Sequence, residues 1–248
     1  MILFRHLESE FIQHALEDYP REACGLVVDG RYIRVPNISR DPVNQFILDP
    51  RVYGMYDGHI QAVFHSHPDG DECPTEADMR SQMTAGVPWI IAPTKGRNVG
   101  EIFEFGIRDP ERSLIGRKFR HGVDDCYSLM RDGYKHYLNI DLAEFPRSWG
   151  WWRLKDYDMY SQNFASQGFR ILEANESPQK YDALLVALGS AFHKANHAIL
   201  YLGNGEGLHH PGSITKAYDP TRLSLVEGIA RYVDSTTKVA WIRPELPA

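Results

Sequence analysis

Residues 64–78 read Phe64-His65-Ser66-His67-Pro68-Asp69-Gly70-Asp71-Glu72-Cys73-Pro74-Thr75-Glu76-Ala77-Asp78, and this stretch decides how the N-terminal half must fold. Two histidines one residue apart project from the same face of a strand, because strand side chains alternate. Ala62-Val63-Phe64 before them is apolar and partly β-branched, as a buried incoming strand would be. Beyond a polar loop, Thr75 is expected to cap a helix, which sets Asp78 in its first turn and returns a carboxylate to the histidine pair. His65, His67 and Asp78 then suit one zinc ion. Three protein ligands leave a fourth tetrahedral position open, the mark of a catalytic rather than a structural zinc. Cys73 lies between the histidines and Asp78 as a competing soft ligand, although the Asp78 geometry explains the motif without it.

His-Ser-His-Pro followed by Pro-Thr-x-x-Asp resembles the signature of the JAMM (MPN-type) metallopeptidases, with Thr75 where the family pattern carries serine. The family also uses an upstream glutamate, and Pro20-Arg21-Glu22-Ala23-Cys24-Gly25 matches its usual setting. The resemblance implies an α/β, deaminase-like domain in which His65, His67 and Asp78 bind Zn2+, Glu22 is the general base and Thr75 helps hold the oxyanion. Chemically, zinc lowers the pKa of bound water from about 16 toward 7 and polarises a carbonyl. A glutamate in a poorly hydrated site could take that water's proton and pass it to a leaving amine. Taken without the histidine motif, Glu22 would read as a solvated charge beside Arg21.

The 248 residues have room for two domains, and 43% hydrophobic with 12% aromatic residues supports packed cores. A net charge of −6 gives no electrostatic footprint for nucleic acid. The first residues, MILFRHLESEF, show no signal-peptide pattern, and no apolar run approaches the roughly 20 residues of a membrane span. Three cysteines, Cys24, Cys73 and Cys126, do not make a disulfide framework and fit a reducing cytoplasm.

Residues 6–19 are expected to be helical, with Leu7, Phe11, Ala15 and Leu16 on one face. Strands are expected at 24–28, 31–35, 60–66 and 88–92, a helix at 75–85, and a closing strand within 101–107. The polar, proline-punctuated 108–113 then reads as a linker, dividing the chain into domains 1–109 and 110–248.

The second domain carries a different pattern. Gly122-Val123-Asp124-Asp125-Cys126 turns into a helix, with either aspartate as its cap and Cys126 in its first turn, where the helix dipole favours a thiolate. His197 heads the apolar strand His197-Ala198-Ile199-Leu200-Tyr201-Leu202, and Gly203-Asn204-Gly205-Glu206-Gly207 is a turn. The returning Leu208-His209-His210 can set His209 beside His197 as the orienting third group, with His210 competing for that place. Asp-Cys-x-x-Leu, then His-Ala-Ile-Leu-Tyr-Leu-Gly, then Leu-His resembles the NlpC-type cysteine peptidases. That likeness implies a papain-like α+β fold cleaving bacterial cell-wall stem peptides, with Cys126 as nucleophile, His197 as base and His209 as orienting residue. Members often carry Tyr-x-x-Gly shortly before the cysteine. Here Phe119-Arg120-His121-Gly122 stands in that place, without the hydroxyl.

A JAMM domain followed directly by an NlpC domain resembles the tail tip assembly protein K family of lambda-like bacteriophages. The likeness implies a product made in host cytoplasm for building the tail tip and carried in the virion tail tip, with other tail tip proteins as partners and peptidoglycan stem peptides as substrate. A rival reading is a tail-assembly scaffold whose peptidase folds mainly bind partners. A cytosolic isopeptidase acting on a ubiquitin-like tag would leave the second half unexplained. The aromatic run Trp149, Trp151, Trp152, Tyr157 and Tyr160 suits a substrate groove, a packed core or an interface with a tail partner. A helix and then a strand are expected over 221–242.

Overall fold

A computed structural model describes residues 3–107, 109, 111–188, 192, 194–210, 225–226 and 237–245. The chain divides into two compact units, Met1–Arg108 and Asp109–Ala248.

In the first unit, helix α1 (Glu8–Asp18) is followed by β1 (Cys24–Val28), β2 (Arg31–Val35), α2 (Pro50–Met55), β3 (Ile60–Pro68), α3 (Glu76–Ala85), β4 (Trp89–Lys95), β5 (Asn98–Val99) and β6 (Phe103–Phe105). The sheet runs β2-β1-β3-β4-β5, with β6 also on β4. The β3–β4 pair is parallel, while β1 pairs antiparallel with both its neighbours. A parallel pair needs a crossover, and α3 supplies it. That is why the chain leaving His67 must come back past the sheet through a helix.

Alternation along β3 sorts its two faces. Ala62 and Phe64 face a core that includes Phe11, Ala15, Ile90 and Ala92, and Phe64 stacks on Phe11 at 4.7 Å. The opposite parity carries Val63, His65 and His67, with Trp89 edge-on to His65 at 5.4 Å. The α1 face is narrower than its sequence pattern suggests. Leu7, Phe11 and Ala15 are buried, whereas Leu16 is 36% exposed. α2 had no apolar periodicity to announce it; Asp49 caps its start by accepting from Arg51 N–H.

The second unit comprises α4 (Cys126–Leu138), α5 (Met159–Asn163), β7 (Phe169–Ile171), β8 (Ala183–Ala187), β9 (His197–Gly203), β10 (Glu206–Leu208), β11 (Leu225–Val226) and β12 (Thr237–Pro244). These strands make a sheet in the order β11-β10-β9-β8-β12-β7, antiparallel throughout. Helix α4 lies so close to it that a Cβ on Gly133 would come within 2.6 Å of a Leu200 methyl. Leu129, Met130 and Tyr134 of α4 join Leu185, Ala198, Leu200 and Leu208 in one core. The expected strand toward 242 is present as β12; of the helix expected from 221, most lies outside the described residues, and Leu225–Val226 is instead the strand β11.

Candidate functional sites

The first site grows from β3 and the cap of α3. His65 and His67 share one face and bring their Nε2 atoms to 3.0 Å from each other. Asp78 reaches both, with Oδ1 3.3 Å from His65 Nε2 and Oδ2 3.3 Å from His67 Nε2. All three side chains are buried, and one donor atom from each lies within 4.8 Å of the others. His67 Nδ1–H donates to the Asp71 carbonyl at 3.1 Å. That bond fixes the tautomer and aims the Nε2 lone pair into the site, the usual outer support of a metal-ligating imidazole. His65 Nδ1 is buried without a hydrogen-bond partner among the described residues. Two nitrogens and a carboxylate oxygen converging on one point fit a divalent ion of the zinc type.

Thr75 is the N-cap of α3 and forms a capping box with Asp78. Its hydroxyl accepts from Asp78 N–H at 3.1 Å and donates to Asp78 Oδ2 at 2.7 Å. Its backbone N–H donates to the same oxygen at 2.8 Å. The hydroxyl therefore engages the Asp78 carboxylate here, rather than standing open toward a substrate. Burial would raise the Asp78 pKa, but His65 and His67 hold it well below the usual carboxylate range. Burial drives His65 down. For His67 the pull of burial is outweighed by the hydrogen bond and charge of Asp78, and its pKa rises.

Glu22 enters from β1. Cys24 pairs with His65, and continuing that register toward the N-terminus sets Glu22 opposite His67. Ser66, between the histidines, points the other way and holds this segment: Ala23 N–H donates to Ser66 Oγ and Ser66 N–H to the Ala23 carbonyl, both at 2.9 Å. The Glu22 backbone is also tied by its N–H to the Pro42 carbonyl and by its own carbonyl to Asn37. Burial raises the Glu22 carboxyl to about 7, with His67 opposing the shift. That value suits a general base near neutrality.

The second site lies where α4 begins. Asp125, not Asp124, is the cap; its Oδ1 accepts from Ser128 N–H at 3.0 Å. It is buried in a fork with Arg147, whose Nε and Nη2 donate to Oδ2 and Oδ1 at 2.8 and 2.9 Å. Burial alone would raise the Asp125 pKa, but Arg147 holds it well below the ordinary range. Asp124 instead pairs with Arg112.

Cys126 Sγ sits 3.4 Å from the Tyr160 hydroxyl and 3.9 Å from the Asn196 carbonyl. Its neighbour in sequence after Asn196 is His197, the first residue of β9. His197 Nε2 lies 2.7 Å from His209 Nδ1. Of the two adjacent histidines it is thus His209 that meets His197, while His210 Nε2 donates to the Arg117 carbonyl at 2.8 Å. Cys126 and His197 line one cleft, together with Trp149, Trp152, Arg153 and Tyr160. All three tryptophans of the aromatic run line the cleft, Trp149 at 52% exposure and Trp151 buried within the core as well.

The charge state differs from the sequence expectation. Burial, then the charge of Asp125, push the Cys126 thiol up to about 11. Burial also keeps His197 well below its ordinary value and takes His209 down to about 4. Burial therefore favours the neutral forms of the thiol and of both imidazoles. The helix N-terminus is outweighed because its partial charge is small beside the desolvation of a thiolate. Sequence reasoning found neither Arg147 nor the position of Tyr160, since Arg147 lies in an irregular stretch and Tyr160 in the five-residue helix α5, 22 and 34 residues beyond the residues they touch.

Comparison with known proteins adds independent support. The family of prokaryotic homologs of the JAB domain matches residues 4–105, and the NlpC/P60 family matches residues 111–227. The tail tip assembly protein K of Escherichia phage lambda is 38% identical over 160 residues, covering 64% of this chain and 74% of that protein. Its namesake from Escherichia phage N15 is 30% identical over 204 residues, covering 79% and 81%. A probable TtuB-protein conjugate cleaving protease of Thermus thermophilus is 27% identical over 103 residues, covering 37% and 69%.

Proposed function

Since the chain belongs to the tail tip assembly protein K family, we propose that it acts in building a phage tail tip and carries two peptidase centres, the second hydrolysing peptidoglycan stem peptides. The observation that carries this reading is Cys126 at a helix start against the strand that begins with His197, itself locked to His209, at one open cleft. His197 Nε2–H donating to His209 Nδ1 leaves His197 Nδ1 unprotonated as the base. The Cys126 proton passes to that nitrogen as Sγ attacks the peptide carbonyl. The C=O π pair moves to oxygen, and on collapse the C–N bond breaks with the amine taking the proton from His197. Water, deprotonated by the same imidazole, then cleaves the thioester and restores the thiol.

In the first unit His65, His67 and Asp78 would hold zinc, and Thr75 positions the Asp78 carboxylate. When bound, zinc supplies Lewis acidity that polarises a carbonyl and acidifies water. Glu22, with a carboxyl near pH 7, accepts a proton and returns it to the departing amine. This centre fits the processing of a tail partner. Synthesis in host cytoplasm and residence at the tail tip follow from the same reading.

One observation favours the scaffold alternative: a thiol raised to about 11 holds very little thiolate at neutral pH. Digestion of purified peptidoglycan by the wild-type chain, Cys126→Ala and His65→Ala decides between them, with fragments identified by mass spectrometry. Stem-peptide products lost only in Cys126→Ala support the wall peptidase. No release by wild type under reducing conditions with zinc puts the scaffold first.

A further inference from the structure

The Tyr160 hydroxyl is buried, faces the cleft and has Cys126 Sγ, at 3.4 Å, as its partner among the described residues. A thiol sulfur is a poor hydrogen-bond partner, so a buried phenol given only this contact is under-used in the resting state. Its placement is built rather than incidental. The ring packs edge-on against Trp151 and Tyr127, with centroids 5.9 and 6.2 Å away. The Asp158 carboxylate caps the short helix that carries it, accepting from Ser161 N–H at 3.1 Å. The segment before Cys126 brings Phe119 to the same cleft and offers no hydroxyl there.

Resting on the cysteine-peptidase reading, we propose that Tyr160 is a further catalytic residue, donating its O–H to the negative charge that forms at the nucleophile. That charge sits first on Sγ, as its proton leaves for His197. It then moves to the carbonyl oxygen of the tetrahedral adduct, two bonds from Sγ. The phenol keeps its own proton throughout, so no atom is transferred and the balance of the acyl transfer is unchanged. Burial supports this by holding the Tyr160 pKa well above its ordinary value, which keeps the group a donor. A donor that strengthens only as charge develops is the kind that lowers a barrier rather than merely tightening binding.

The test compares full-length wild type with Tyr160→Phe, which keeps the packed ring. The pH midpoint of Cys126 alkylation by iodoacetamide, followed on the Cys126 peptide by mass spectrometry, is expected to move upward in the variant. An unchanged or lower midpoint overturns the proposal. On stem-peptide substrate kcat is expected to fall about 100-fold or more with KM within about twofold. An unchanged kcat overturns the oxyanion role even if the midpoint moves. If wild type cleaves nothing, the peptidase reading fails by itself, and the alkylation midpoint still decides whether Tyr160 serves the thiolate. Should Tyr160→Phe lose its melting transition, 3-fluorotyrosine labelling of wild type, which strengthens the phenol donor, replaces it. A lowered midpoint then upholds the proposal and an unmoved one overturns it.

Discussion

In the first unit the polar groups of the site answer one another with charge: an ionised Asp78 sits against two imidazoles, one of which it lifts. In the second, the charge is held one residue behind the chemistry, in Asp125 and Arg147, and Cys126, His197 and His209 are all left neutral. The contrast follows from where the compensating charge lies: Asp78 touches both imidazoles directly, whereas Arg147 takes up the charge of Asp125 and leaves burial to decide the state of Cys126, His197 and His209.

The largest test of this contrast is Arg147→Ala. It strands a buried carboxylate at the start of α4, and urea unfolding followed by tryptophan fluorescence should show the second unit destabilised by about 3–5 kcal/mol. A loss below about 1 kcal/mol would mean the pair is not the anchor described here.

Acidification comes next. His209 has its folded pKa depressed to about 4, against about 6.5 unfolded. Between those values the unfolded chain binds more protons than the folded one, so stability rises with pH in that window and is lost as pH falls from about 6.5 to about 4. For this single group the loss approaches about 3 kcal/mol, measurable as a falling urea midpoint of the second unit. Below that, Asp125 extends the loss, since its depressed pKa gives stability that fades only as the carboxylate protonates.

Ser66→Ala leaves the Ala23 N–H buried without its side-chain acceptor and should cost the first unit about 1–3 kcal/mol, with the second unit's transition unmoved. Smallest in stability is Thr75→Ala, expected to cost about 1 kcal/mol through the lost cap. Calorimetric zinc titration should show affinity down about 10–100-fold, because the support of Asp78 is gone. Thr75→Ser should recover most of both, and equal zinc affinity in all three proteins would remove Thr75 from the site.

The difference between the units also explains what could be seen in the amino-acid order. His65, His67, Thr75 and Asp78 fall within one strand, loop and cap, where local periodicities govern, so their meeting was legible. The β-alternation of β3 and the 24–28 and 31–35 strands were legible for the same reason. The hairpin also let His209 be expected beside His197, as the structure has it, but could not exclude His210, because both follow the end of β10, past the pairing that fixes faces. Not legible were Arg147, in an irregular stretch, and Tyr160, in a helix too short to show a period, whose partners are chosen by tertiary packing. The neutral state of Cys126 was hidden too: a helix start can be read from Asp125, whereas the depth of burial that overrides it cannot.

Ser66 carries a consequence for how the first site can change. The same strand residue that separates the two histidines clamps the backbone beside Glu22. A slip of β1 by one residue would turn Glu22 toward Phe11 and Phe64 and bring Ala23 to the polar side. The Glu22 carboxyl and the His65–His67–Asp78 cluster are therefore set by one strand register, so that a change which shifts β1 against β3 moves one relative to the other.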